Sequence, residues 1–293
     1  MTGRDRVWTA LRGGILDCPP KGEILLERTW LANNQLTDLI AAVDCLQADL
    51  VVLPIAPTLA RSMNWQELTS RKVFMFSCLQ GPVTFFSESL GWHEFSRLMI
   101  KKPLEVRDMM MHYLQSSAQS VLTALHDGCE GVVVFDDLAG DKGLLIHPNF
   151  LQEIYFPAMR LTLEQLDYKH VPTIFHSDGN ILSIIPLLKS TGFWGIQGLQ
   201  PAVVGSGPES MVVQQLKDWV FWGNFDFEGQ GRLKNIFEIK TEVNELLSSW
   251  ADFPGFIFGS SGGLYKGLSL PEIKAAYTAV EEYGRLRNID DTK

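Results

Sequence analysis

The sequence predicts an α/β fold, a single (β/α)8 barrel over residues 1–293 with residues 1–22 as an N-terminal helical extension. Three observations lead there. Short runs rich in β-branched or aromatic residues recur along the chain, each closed by polar or glycine residues and followed by a stretch of helical spacing. No Pro/Gly/Ser-rich linker or shift of composition divides the chain. Its 293 residues, 46% hydrophobic with 8 Trp and 17 Phe, can bury the large core such a barrel needs as one domain.

In chain order, MTGRDRVWTALRGG reads as a short amphipathic helix with Val7, Leu11 and Trp8 on one face. Strands are expected at Glu23–Glu27, Leu50–Pro54, Val73–Cys78, Gly131–Asp136, Thr173–His176, Trp194–Leu199, Trp219–Gly223 and Phe256–Phe258. Between them, helices are expected at Leu31–Gln47, over Gly91–His126 as about two helices, and at Pro148–Leu166, Asn180–Lys189, Pro208–Lys217, Asn235–Trp250 and Pro271–Tyr283. Pro148 and Pro271 suit first-turn positions, and Gly284 suits a helix stop. In the long second helical region Val106, Met109, Tyr113, Val121, Leu122 and Leu125 fall mostly on one face, so the Met109–Met111 run reads as core packing.

Composition excludes several classes. A net charge of −9 argues against nucleic acid, which needs a concentrated basic surface; the one local basic cluster, Arg97–Lys102, reads as a solvated helix end. No apolar run approaches the roughly 20 residues of a membrane span, and the N-terminus lacks a signal-peptide core, so a cytoplasmic protein is expected. Cys18, Cys45, Cys78 and Cys129 are scattered without a CxxC pair, as reduced thiols would be. Neither GxxxxGK[ST] nor a GxGxxG after a strand is present, which leaves nucleotide-dependent chemistry without a motif.

In a (β/α)8 barrel the polar residues closing each strand gather at one mouth. Here they are Asp136-Asp137, then His176-Ser177-Asp178, then Gln197 and Gln200, then Asn224 and Asp226, and finally Gly259-Ser260-Ser261-Gly262-Gly263. An isolated carboxylate at a strand end is as readily a helix cap as a functional group. His176, with a carboxylate two residues on and paired carboxylates on the neighbouring strand, reads instead as a metal ligand or general base. His147 closes the loop after Asp136-Asp137 and is the other histidine of interest. The GSSGG segment is either a tight turn or a nest of amides for an anion. It also matches GxSxG, but no histidine follows Ser261, so a hydrolase triad is not expected.

The start RDRVWTALRGGILDCPPKGEI, the central FDDLAGDKGLLIHPNFLQEIYFPAMR, the HSDGNI that follows and the closing FGSSGGLYKGLSLPEIKAAYTAVEEYG together resemble the uroporphyrinogen decarboxylase superfamily over essentially the whole chain. The resemblance implies a (β/α)8 barrel, and either porphyrinogen decarboxylation or methyl exchange with a corrinoid protein. The decarboxylase's PxWxMRQAGR segment is absent, the corresponding stretch reading PPKGEILLERTWL, and the early strand LVVLPIAP ends without the decarboxylase's acid. The thiol-methylating branch holds zinc with an HxC pair and a distant Cys. His176 matches its histidine, whereas Asp178 stands in place of the first Cys and Ser260 or Ser261 in place of the second.

What the resemblance suggests is therefore the O-demethylating branch, with zinc held by His176 and acids upstream of it, among them Asp136, Asp137 and Glu153. The activity it implies is a methyltransferase moving a methyl group between a small substrate (a methoxylated aromatic, methylamine or thiol) and cobalt. The cobalamin is carried by a separate corrinoid protein, since the chain has no DxHxxG segment. His176, Asp136 and Asp137 are the expected catalytic residues, and His176, Glu153 and Asp136 the expected metal ligands. Asn224, Gln197, Gln200, Asp178, Trp222 and Ser260 are expected to bind substrate, with Trp194 and Phe225 joining Trp222 as pocket walls. The alternatives are a metal-independent decarboxylase or lyase acting on a small acid, with His176 or Asp136 as proton donor, and a non-catalytic barrel. Assembly as a homodimer stays open.

Overall fold

The structure, a computed structural model, describes residues 1–54, 65–198, 200–205, 219–227 and 235–290. Its strands are β1 (Leu50–Leu53), β2 (Phe74–Gln80), β3 (Gly131–Phe135), β4 (Ala139–Gly140), β5 (Gly143–Leu144), β6 (Thr173–His176), β7 (Gly195–Gln197), β8 (Val220–Phe225) and β9 (Phe256–Ser260). Seven of them are parallel neighbours in the order β1-β2-β3-β6-β7-β8-β9, while β4 and β5 form a small antiparallel pair. This is the TIM-barrel-like α/β fold that the alternation predicts, because each parallel step needs a crossover and a helix supplies it.

The first expected strand, residues 23–27, does not form as a regular strand. Lys21 pairs with Phe258 and Leu26 with Leu264 only as isolated bridges, so the ring of eight is incomplete. Just before this segment the Gly22 carbonyl accepts a hydrogen bond from the Trp222 indole at 2.8 Å.

The described residues of 1–52, 64–74 and 197–293 form one compact unit, and those of 53–63 and 75–196 a second. In the first unit the helix Gly3–Leu11 starts on a Thr2–Asp5 capping box and buries Val7, Ala10 and Leu11. The helix expected over 31–47 is two helices, Arg28–Asn33 and Leu39–Leu46. Gln35 takes a positive φ of 59° between them, and Asp38 caps the second through the Ala41 amide at 2.8 Å. Asn235 and Glu238 form the capping box that opens the helix Ile236–Ser249. Phe221, Trp250, Phe253 and Phe256 pack as an aromatic core, the last with its ring stacked 4.7 Å from Trp250. The C-terminal helix Leu270–Asp290 runs through Gly284 instead of stopping there. A Cβ at Gly284 would lie 2.6 Å from that of Cys18, so this glycine serves close packing and not termination.

In the second unit β3 lies between β2 and β6, with Gln80 opposite Phe135 and Phe135 opposite His176. Val132, Val133, Val134, Ile174 and Phe175 are fully buried, which is why these strands read as unbroken apolar runs. A helix that sequence reading missed, Pro82–Leu90, precedes Trp92–Lys101 and Pro103–His126. The long helix buries Val106, Met110, Leu114, Ala118 and Val121; its core face is centred on Met110, one residue from the expected Met109. The segment from Pro148 to Gln165 contains a π-helical turn, Leu151–Tyr155, where the Phe156 amide bonds the Leu151 carbonyl five residues back. Pro157 has no amide to continue the normal ladder, which favours this wider turn. The helix expected over 180–189 is a 3-10 turn, Leu182–Ile184, followed by Ile185–Thr191.

The helix expected over 208–217 lies outside the described residues. All four cysteines are free. No helix among the described residues is long and apolar enough to cross a membrane.

Candidate functional site

The expected site residues Asp136, Asp137, Glu153, His176 and Asp178 belong to the second unit, and Gln197, Gln200, Trp222, Asn224 and Ser260 to the first. In the second unit the ends of β3 and β6 bring Asp137, His176 and Asp178 together, with one ligand atom of each within 4.8 Å of the other two. The His176 Nε2 lies 3.7 Å from Asp137 Oδ1. The ring is 1% exposed and stacks on Phe135, its register partner, at 4.2 Å between centroids. The Asp178 amide donates to Asp137 Oδ1 at 3.0 Å, so the chain after β6 holds the carboxylate at the end of β3. The Ser177 hydroxyl accepts from the Leu138 amide at 3.0 Å and donates to the Asp178 carbonyl at 2.9 Å, tying the two strand ends a second time.

Asp178 Oδ1 is buried without a hydrogen-bond partner. Burial pushes this carboxyl above the usual range, with His176 pulling it down and Asp137 and Asp141 adding to the rise. A buried, unpaired carboxylate oxygen beside a histidine and a second carboxylate suits a divalent cation, which would supply the missing partner. The donor set is one nitrogen and two oxygens, without thiolate. It fits zinc or another cation that accepts His and carboxylate ligands.

Asp136 has a different task. Fully buried, it accepts from the Thr84 amide at 2.6 Å and from the Val83 amide at 3.3 Å, and thereby caps the helix Pro82–Leu90. The N-cap residue, Gly81, has no side chain to do so, and a carboxylate at the positive end of a helix replaces it. Burial pushes Asp136 up to about 6, against the pull of the Thr84 amide. Glu153, expected as a ligand, is exposed on the π-helical turn and is not in the group. His147 caps the helix that follows it, its Nδ1 accepting from the Asn149 amide at 3.2 Å.

In the first unit several of the expected substrate residues have hydrogen-bond partners within the unit. The Gln197 amide donates to the Ser260 and Ser261 carbonyls at 3.0 and 3.2 Å, and Trp222 to Gly22. Asn224, at φ 66°, donates to the Gly205 carbonyl at 3.4 Å, and Gln200 precedes the short helix Pro201–Val204. Phe225 packs on Phe227 and Phe258, while in the second unit the Trp194 indole bonds the Tyr168 carbonyl at 2.6 Å.

The GSSGG loop, expected as an anion nest or a turn, already takes up a carboxyl group of this chain's own. Glu23, missed by sequence reading, is 4% exposed and accepts from the Ser260 amide and hydroxyl and, at 3.0 Å, from the Tyr277 hydroxyl. Further amides here have partners too: Ser261 donates to the Phe225 carbonyl, Gly263 to Ser260 Oγ and, just after the loop, Leu264 to the Leu25 carbonyl.

Burial raises the Glu23 carboxyl to about 7, with the Ser260 and Tyr277 hydrogen bonds opposing it. A folded-state value above the usual 4.5 means that the native protein binds this proton more tightly than the unfolded chain. The stability it contributes is therefore present below about pH 4.5 and lost as pH rises to about 7, on the order of 3 kcal/mol. Asp136 acts in the same direction from 3.8 to about 6. Glu23→Gln should flatten the melting temperature between pH 6 and 7.5 relative to the parent protein. Parallel curves over that interval would show that Glu23 does not titrate there.

The profile of the uroporphyrinogen decarboxylase (URO-D) family matches residues 57–283. Among solved structures, a methyltransferase from Methanosarcina mazei aligns with a TM-score of 0.74 at 16% identity, covering 97% of this chain and 99% of that one. An intracellular xylanase from Thermoanaerobacterium saccharolyticum aligns with a TM-score of 0.57 at 15% identity, covering 90% and 95%. At these identities the likeness is one of fold. No curated protein sequence matches.

Proposed function

The chain belongs to the uroporphyrinogen decarboxylase family, and we propose that within it this protein is a methyltransferase. It moves a methyl group between a small substrate and the cobalt of a separate corrinoid protein, with zinc held by Asp137, His176 and Asp178. The observation that carries this reading is the buried His176 flanked by two carboxylates, one of which has an unpaired buried oxygen. The missing arginine-rich segment and early acid of the decarboxylase weigh against porphyrinogen chemistry. The fold shared with a methyltransferase supports the reading.

When bound, zinc supplies a Lewis acid for the atom that gives up the methyl group. The chain's part is to hold the donor atoms before the substrate arrives. Phe135 fixes the plane of the His176 ring, and the Asp178 amide fixes the Asp137 carboxylate. Such preorganisation spares the reacting complex the cost of gathering like charges. A donor set of nitrogen and oxygen favours oxygen or nitrogen as the atom losing methyl over sulfur, which pairs with softer sites.

The assay follows the absorbance change as cob(I)alamin on a corrinoid protein becomes methylcobalamin, with a panel of methoxyaromatics, methylamines and methyl thiols. Methylation with at least one of them, lost on chelation and restored by zinc, is expected. Carbon dioxide release from uroporphyrinogen, with no cobalt methylated across the panel, would overturn the proposal in favour of the decarboxylase.

A further inference from the structure

We propose that Thr84 is the positioning residue of the Asp137–His176–Asp178 group, an inference that rests on reading that group as a cation site. Three successive residues at the end of β3 are held by the start of the helix Pro82–Leu90. The Phe135 carbonyl accepts from the Gly81 amide at 2.7 Å, and the Asp136 carboxylate accepts from the Val83 and Thr84 amides. The Asp137 amide then donates to Thr84 Oγ1 at 3.1 Å.

Thr84 is thus used twice. Its backbone amide is bound by Asp136, and its hydroxyl, not needed to cap its own helix, accepts from the residue that carries the ligand carboxylate. On the far side of Asp137 the Leu138 amide donates to Ser177 Oγ, so the ligand residue is held on both flanks before its carboxylate is held by the Asp178 amide. Of these contacts only the Thr84 hydroxyl ties the Asp137 main chain to a helix. It fixes where Asp137 stands relative to His176, and partners that orient ligands in this way set affinity without touching the metal.

Thr84→Val keeps the β-branched shape and the backbone amide that Asp136 uses, and removes the hydroxyl, and with it the acceptor for the Asp137 amide and the side-chain hydrogen bond to Asp136. Zinc affinity, measured by calorimetry on the metal-stripped protein, should fall about 10-fold. The visible spectrum of the cobalt(II)-loaded protein should change in intensity, and Thr84→Ser should restore both. Thr84→Ala carries the same expectation and serves where the valine variant does not fold. Parent-like affinity and spectrum in Thr84→Val or Thr84→Ala, alongside metal loss in His176→Ala, would overturn the positioning role and leave the cation site standing. Zinc retained by His176→Ala would overturn the reading of the site itself.

Discussion

His176→Ala is expected to lower zinc affinity by more than about 100-fold, because residues that only orient a ligand are already worth roughly 10–100-fold. The proposed ligand group has three members, and His176 offers its only nitrogen. Without it, Asp137 and Asp178 leave two carboxylate donors, one short of the three protein ligands of an open zinc site. The substitution also empties space against Phe135, which stacks on the ring, and costs about 2 kcal/mol of stability. That loss leaves a folded protein on which metal content can be read by elemental analysis, with Asp137→Asn and Asp178→Asn as companions that keep their volume. One zinc per chain retained by His176→Ala would place the ligands elsewhere.

Gly81→Ala is expected to be the most damaging small substitution in the second unit, costing about 3 kcal/mol or more. The backbone at Gly81, φ −71° and ψ 158°, suits any residue, so the penalty is steric. An added Cβ would lie 2.1 Å from the Asp136 Cβ and Cγ and 2.2 Å from its Oδ2. Asp136 cannot withdraw, since it is fully buried and bound to two helix amides. Overpacking of this kind costs roughly 1–3 kcal/mol, and loss of the cap adds about 1–2. A fall in melting temperature of roughly 6–12 °C should follow. Gly262→Ala, where a Cβ meets nothing within 4 Å, is the control and should melt with the parent protein. A Gly81→Ala protein as stable as that control would refute the account of Asp136 as a cross-strand helix cap.

The strands were legible because parallel strands covered on both faces read as continuous apolar runs, and GVVVF and TIFH are such runs. The capping boxes at Thr2–Asp5 and Asn235–Glu238 mark helix starts with residues whose role is local. Where a boundary depended on distant contacts the sequence was silent. PVTFFSESL forms a helix whose cap comes from β3, more than fifty residues away. Gly284 looks like a stop and is a contact point for Cys18. Glu23 looks like an ordinary exposed acid, and only the approach of Ser260 and Tyr277, some 240 and 250 residues later, makes it a buried one.

The same division runs through the candidate site. By itself the sequence determined the α/β alternation, the family, and that His176 would close a strand beside acids, since residue type and period are local properties. The tertiary structure decided which acids those are. Asp136 and Asp137 are neighbours in sequence with the same chemistry, and nothing local separates them. Successive side chains after a strand leave in different directions, so one of the pair meets the amides at the start of Pro82–Leu90 and the other meets His176 and the Asp178 amide. The first is spent on the fold, and the second stands in the candidate group, because a carboxylate's role is set by the donors that reach it and not by its place in the chain.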